Sequence, residues 1–246
     1  MIVYNKEEMP FVKKIKGIIL DAKYSNKITL LRFLNQREIE ILESLKDGTT
    51  IYIDSKGEEY KRAIVAPFDI EPEFNSVLLK LIYNKKYLDP NHRMILGALM
   101  SLGIERNTIG DIYITTDKDV YFYATKEIEP YLTSELRVIS HQAVELQRSS
   151  HVEGQVLKNT KVKTVFVASL RLDLIVSQIF NLSRAEAQDI IKNKDCKVNQ
   201  RIIDNTSYEL KEHDVISLKG YGRGSIDRIG GVSKSGKICV NLSKLI

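Results

Sequence analysis

The chain has 246 residues, 43% of them hydrophobic, which is long and apolar enough for two or three small domains that each bury a core. Only Cys196 and Cys239 are present, far apart, so a disulfide framework and a Cys-x-x-Cys zinc site are both excluded. No apolar run reaches the eighteen or more residues of a membrane-spanning helix, and the opening "MIVYNKEEMPFVKKIKG" lacks a signal-peptide core, so a cytoplasmic protein with no membrane partner is expected. The formal charge of +5 is unevenly spread: residues 169–246 hold 13 Lys+Arg against 9 Asp+Glu, whereas the first 168 hold 24 against 23. A basic terminal module on a near-neutral body points modestly to a polyanion partner, although a solvated lysine-rich surface reads the same on charge alone.

Residues 1–73 read as a small α+β domain. Pro10 opens a helix with Phe11, Ile15, Ile18 and Ala22 at 3.6-residue spacing. Asn35 with Glu38 three residues on predicts the N-terminus of a second helix carrying Ile39, Leu42 and Leu45, with Gly48 as its stop. "TIYID" and "EYKRAIVAPF", either side of Ser55-Lys56-Gly57, predict a hairpin.

Residues 74–165 give a β-α-β-β-α-β order, that of a ferredoxin-like or RRM-like sandwich. "SVLLKLIY" is a strand, and Asn91 caps a helix running to Leu102 with Gly103 as its left-handed stop. "IGDIYITTDKDVYFYAT" is two strands about a polar turn, followed by a helix over Ile128–Leu136 and a strand near Ala143–Gln147. Alternation puts Ile112, Ile114, Val120, Phe122 and Ala124 towards the helices and Tyr113, Tyr121 and Tyr123 on the other face. On a free face those three tyrosines form a base-stacking platform; if the first domain covers the face, they pack there instead, and the basic-glycine-aromatic signature of RRM proteins is missing. A polar link over Gly154–Lys163 then leads to the strand-like "KTVFVAS".

Residues 166–246 hold the most informative stretch, "SLRLDLIVSQIFNLSRAEAQDIIKNKDCKVNQ", Ser169 to Gln200. Leu172, Ile175, Val176 and Ile179 line one side of a helix over Leu170–Phe180, with Arg171 and Asp173 in its first turn. Ser183-Arg184-Ala185-Glu186 is a capping box opening a second helix, whose Arg184, Gln188 and Lys192 face outward. With Lys194, Lys197 and Arg201 following, and Arg223 as an addition further on, one basic edge suited to phosphate oxygens is expected.

This segment resembles an S4-type RNA-binding domain. Its pattern is met by Arg171-Leu172-Asp173, Ser183-Arg184, Val198-Asn199, Asp214-Val215-Ile216 and Gly220-Tyr221-Gly222-Arg223. It departs from that pattern at Gln200, which holds a glycine position, and at Asn193-Lys194-Asp195, where a glycine often precedes the strand. "NHRMILGALMSLGIERNTIGDIYI", "FLNQREIEIL" and "YKRAIVAPF" are similar to YlmH-type proteins, in which an RRM-like domain precedes a C-terminal S4 domain. The resemblance implies a cytoplasmic protein that binds rRNA and tRNA on the large ribosomal subunit, in ribosome-associated quality control of retained peptidyl-tRNA. The family has also been linked to cell division, so a protein-contact adaptor stands as the alternative.

Enzyme signatures are sparse. Arg-Leu-Asp occurs in pseudouridine synthases with a nucleophilic aspartate, but "LIVSQIFNLSR" after Asp173 lacks their continuation, and helix-start electrostatics or pairing with an arginine is the favoured role for Asp173. His92, His141, His151 and His213 are scattered, and there is no P-loop or dinucleotide fingerprint, so no catalytic residue, metal or cofactor is expected. Nothing in the sequence demands more than a monomer.

Overall fold

The computed structural model describes residues 4–157 and 160–245. It is a mixed α+β structure of antiparallel sheets that divides into two compact units, residues 1–157 and 158–246.

The first unit opens with α1 (Met9–Ser25), β1 (Thr29–Leu30), β2 (Leu34–Asn35), α2 (Gln36–Leu45), β3 (Thr50–Ile53), β4 (Tyr60–Lys61) and β5 (Ala63–Ala66). Pro10 sits in the first turn of α1, where its missing N–H costs no hydrogen bond. The buried stripe is Val12, Ile15, Ile19 and Ala22, with Phe11 and Ile18 at its margins, so the inward side is turned slightly from the predicted one. The α2 cap is as expected: the Asn35 side chain accepts from Glu38 N (3.0 Å) and Glu38 Oε2 accepts from Asn35 N (2.8 Å). β3 and β5 pair antiparallel, Thr50 opposite Ala66.

The unit continues with β6 (Ser76–Tyr83), α3 (His92–Ser101), β7 (Ile109–Ile114), β8 (Val120–Thr125), α4 (Glu129–Glu135), β9 (Val138–Ile139) and β10 (Gln142–Ser149). These strands form one sheet in the order β7-β8-β6-β10-β9. Leu79, Leu81, Val120, Phe122 and Ala124 bury against Ile95 and Leu99 of α3 and Leu132 of α4. The sheet face predicted to meet the helices therefore does so.

The second unit comprises β11 (Thr160–Val167), α5 (Leu172–Phe180), α6 (Arg184–Lys192), β12 (Cys196–Val198), β13 (Arg201–Ile202), β14 (Val215–Leu218), β15 (Gly222–Val232) and β16 (Ile238–Leu245). Its sheet runs β11-β16-β15-β14-β12-β13, and Leu172, Ile175, Val176 and Ile179 of α5 close one core with Ile216, Ile226, Val240 and Leu242. The link expected over 154–163 is shorter. Gln155 O accepts from Thr116 N, Val156 bridges to Thr115, residues 158 and 159 lie outside the described residues, and β11 is already paired with β16 from Thr160 onward.

Both departures from the glycine pattern fall on left-handed backbone. Lys194, just past α6, has φ 63°, and the two-residue turn between β12 and β13 has φ 48° at Asn199 and 67° at Gln200. Positive φ at both central residues is what a tight hairpin needs to match strand twist. Asparagine tolerates this region better than most residues, and Asn199 is further held across the sheet, its Nδ2 donating to Asp214 and its Oδ1 accepting from Val215 N, whereas a glutamine side chain is not favoured there. Gln200→Gly is accordingly expected to stabilise the second unit by about 1 kcal/mol, read as a raised urea midpoint; an unchanged or lowered midpoint would show that the turn carries no such strain.

Candidate nucleic-acid interface

The α5–α6 pair is organised around one buried carboxylate. At the start of α5, Leu172 N and Asp173 N donate not to a cap side chain but to the carbonyls of Tyr208 (2.8 Å) and Thr206 (3.1 Å). Leu174 N donates to Asp173 Oδ1 (3.0 Å), so the helix-start donors are satisfied while the aspartate is drawn inward. Asp173 is 0% exposed.

Two arginines and an amide converge on it. Arg171 grips it with both ends of its fork, Nε to Oδ1 at 3.1 Å and Nη2 to Oδ2 at 3.0 Å. Arg184 Nε reaches Oδ2 at 3.0 Å and Gln188 Nε2 at 2.7 Å. Burial works against the charged carboxylate, yet the hydrogen bonds from Arg171, Gln188 and Arg184 outweigh it and hold its pKa down to about 2. Asp173 is thus a permanent anion, and each guanidinium remains a cation with spare donors turned outward, at 36% exposure for Arg171 and 53% for Arg184. One carboxylate against two guanidiniums leaves a net positive charge held in fixed geometry, which suits phosphate oxygens.

The Asp173 side chain is fully buried and both oxygens are engaged, the pairing with arginine that the sequence favours.

The capping box of α6 forms as expected, with Glu186 N donating to Ser183 Oγ (3.2 Å) and Ser183 N to Glu186 Oε2 (2.8 Å). Lys192 and Lys194 stand exposed at the far end of α6. The remaining predicted cations fall elsewhere. Lys197 alternates with buried Cys196 and Val198, so it projects from the sheet side opposite the two helices. Its cross-strand neighbours Ser217 and Arg223 share that row. Arg201 pairs with Val198 and is half-buried, its Nε enclosed without a hydrogen-bond partner among the described residues. The single basic edge expected from the sequence is therefore divided between the helix side and the outer sheet face.

Of the two alternatives for the tyrosines, the packed one matches the burial observed. Tyr121 is 0% exposed and offers no ring face to a base. Lys80 Nζ lies 5.2 Å from its ring centroid and Glu153 Oε2 accepts from its hydroxyl at 3.4 Å. Tyr113 and Tyr123 are half-buried and meet edge to face, centroids 6.2 Å apart. Two coverings account for this. Phe33 of the first segment closes on Gly110, where a Cβ would lie 2.7 Å from its ring and 3.0 Å from the Tyr123 Cβ. At the other end, residues 153–157 return to β7, Leu157 N donating to Ile114 O. Alternation identified the face correctly; what covers it depends on chain segments far away in sequence.

Gln188, read from the sequence only as an outward residue of α6, completes the shell of Asp173. The signal available for it was its place one turn beyond Arg184 on the same helix face.

No helix among the described residues is long and apolar enough to cross a membrane. Family models match two stretches: residues 70–153 match the "Putative RNA-binding domain in YlmH", and residues 170–216 the S4 domain. The "Ribosome-associated protein quality control protein P2" of Bacillus subtilis (strain 168) is 29% identical over 244 residues, covering 95% of this chain and 94% of that protein. Among solved structures, the "Cell division protein ylmH from Streptococcus pneumoniae" superposes with a TM-score of 0.54 at 21% identity, over 61% of this chain and 94% of that one. That likeness speaks to the fold. The chain thus carries a stretch matching the YlmH RNA-binding domain followed by a C-terminal S4 domain, and is similar along nearly its whole length to a quality-control protein.

Proposed function

We propose that this protein docks on structured rRNA or tRNA of the large ribosomal subunit, as a cytoplasmic, monomeric, non-enzymatic factor in quality control of stalled peptidyl-tRNA complexes. The observation that carries the reading is the Asp173 clamp, which holds Arg171 and Arg184 with their outer donors exposed. A-form RNA hides its base edges and presents backbone and 2′-hydroxyls, so recognition led by positioned guanidiniums is shape-based. The relative's role in ribosome-associated quality control supports the same partner. In this reading the chain is three modules: an α+β segment over 1–73, a ferredoxin-like module whose strand order β7-β8-β6-β10 and two helices fit the split β-α-β-β-α-β plan, and the S4 module. Arg171, Arg184, Lys192 and Lys194 form the principal contact surface, and Lys197, Arg201 and Arg223 contribute further contacts from the sheet.

Neutralising about five phosphates makes affinity fall a few hundredfold between roughly 50 and 200 mM salt. Arg184→Glu with Lys197→Glu is expected to abolish co-sedimentation with large subunits at moderate salt; the melting temperature falls, because Arg184 is a partner of buried Asp173, and circular dichroism at the assay temperature checks that the variant is still folded. Unchanged co-sedimentation would remove this surface from the reading. Co-sedimentation that ignored salt would point instead to protein contacts, as a cell-division adaptor requires.

A further inference from the structure

A second cluster of cations lies at the other end of α5. Lys161 and Lys163 of β11 and Lys244 of β16 surround a cavity of about 370 Å³, with Ile179, Asn181 and Leu242 in its wall. Lys161 and Lys244 are direct cross-strand partners. Like charges placed opposite one another in a sheet are destabilising, so a lysine pair here needs a reason beyond folding. Lys163 is held by the Asn181 side chain, Nζ to Oδ1 at 3.1 Å, and Asn181 is the left-handed residue that ends α5 (φ 54°). Lys244 Nζ lies 5.2 Å from the Phe180 ring centroid.

Among the described residues, none of the three lysines has a carboxylate within ion-pair distance. Asp227, on the neighbouring strand, is taken by the hydroxyls of Ser225 (2.8 Å) and Ser243. The carbonyl end of α5 supplies about half a negative charge, which accounts for one lysine at most and leaves more than two positive charges around the cavity. Consistent with that surplus, Lys163 is pushed below the usual lysine range, first by burial and then by Lys244.

We infer that Lys161, Lys163 and Lys244 form a second phosphate subsite, which takes two neighbouring backbone phosphates of the same structured RNA that Arg171 and Arg184 engage. The inference rests on the RNA-docking reading and deepens it. Ammonium groups suit a phosphate as point charges, without the planar geometry a guanidinium demands. A cavity walled by Ile179 and Leu242 also lowers the local dielectric and strengthens each contact.

The test measures binding of the full-length protein to a fluorescein-labelled RNA stem-loop by anisotropy across a salt series. Each phosphate contact contributes about 0.7 to 0.9 to the slope of log affinity against log salt. Replacing Lys161, Lys163 and Lys244 together by Gln is expected to lower that slope by about two and to weaken binding at least tenfold at moderate salt. Replacing all three by Arg is expected to retain binding. The melting temperature of the Gln variant is expected to match or exceed the parent's, because the Lys161–Lys244 repulsion is gone; should it fold poorly, Lys161→Gln alone, at an exposed position, is expected to lower the slope by about one. Parent-like affinity and slope in the Gln variants, with Arg184→Gln still impaired, would overturn the subsite and leave the docking reading intact. A parent protein without salt-dependent RNA binding would overturn both.

Discussion

Asp173→Ala is expected to cost the second unit about 3 kcal/mol and to abolish RNA binding even where the fold survives. The side chain accepts four hydrogen bonds from side chains and one from Leu174 N while fully buried. Removing one partner of a buried, hydrogen-bonded charge cluster costs several kcal/mol, moderated here because Arg171 and Arg184 can turn to water. The depression of its pKa from an ordinary carboxylate value to about 2 gives an independent figure of roughly 2 kcal/mol. The sign follows from the direction. A carboxylate depressed in the folded state stabilises above its unfolded value near 4, and that stability is lost as pH falls from about 4 to 2. Urea unfolding between pH 5 and 2 should therefore show a steep loss in the parent that Asp173→Asn flattens. An equally steep loss in Asp173→Asn would assign the acid sensitivity to other carboxylates. A variant folded at neutral pH yet deficient in RNA binding would show that Asp173 positions Arg171 and Arg184 and has no other part in recognition.

Arg62→Met is expected to destabilise the first unit by about 3 kcal/mol. Arg62 is 2% exposed, and its guanidinium donates to three backbone carbonyls: Leu31 (3.0 Å), Phe74 (2.7 Å) and Asn75 (2.7 Å). Burial pulls its pKa below the usual arginine range, with the Glu127 carboxylate (3.8 Å) opposing that shift. Methionine fills similar volume but offers no donor, so three carbonyls lose a charged partner, an effect larger than the apolar gain. Because the bonds tie Leu31, just after β1, to Phe74 and Asn75, just before β6, amide exchange should rise first around Leu31 and residues 74–76. Exchange accelerated evenly across the unit would mean that Arg62 supports global stability without any special hold on that junction.

Much of the protein was legible in the order of its residues. Helix and strand periods placed α2, α3, β6, β7 and β8, because each carries a cap or an alternation that depends only on near neighbours. Arg171-Leu172-Asp173 and Ser183-Arg184 marked the S4 helices for the same reason, since a helix start and a capping box are local devices. The resemblance to the YlmH family rested on these local signals. Tertiary structure alone decided the rest. What lies over the tyrosines depended on Phe33 beside Gly110 and Tyr123 and on Glu153 at the Tyr121 hydroxyl, segments that sequence spacing cannot bring to the sheet. Which cations share a surface depended on strand register: a residue beside buried Cys196 and Val198 must point away from the helices, and that separated Lys197 from Arg184. Lys161 and Lys244 stand 83 positions apart in the chain and meet only through the β11–β16 pairing. Local chemistry is written in neighbouring residues, whereas a charged surface is assembled by long-range pairing and by whatever segment comes to cover a face.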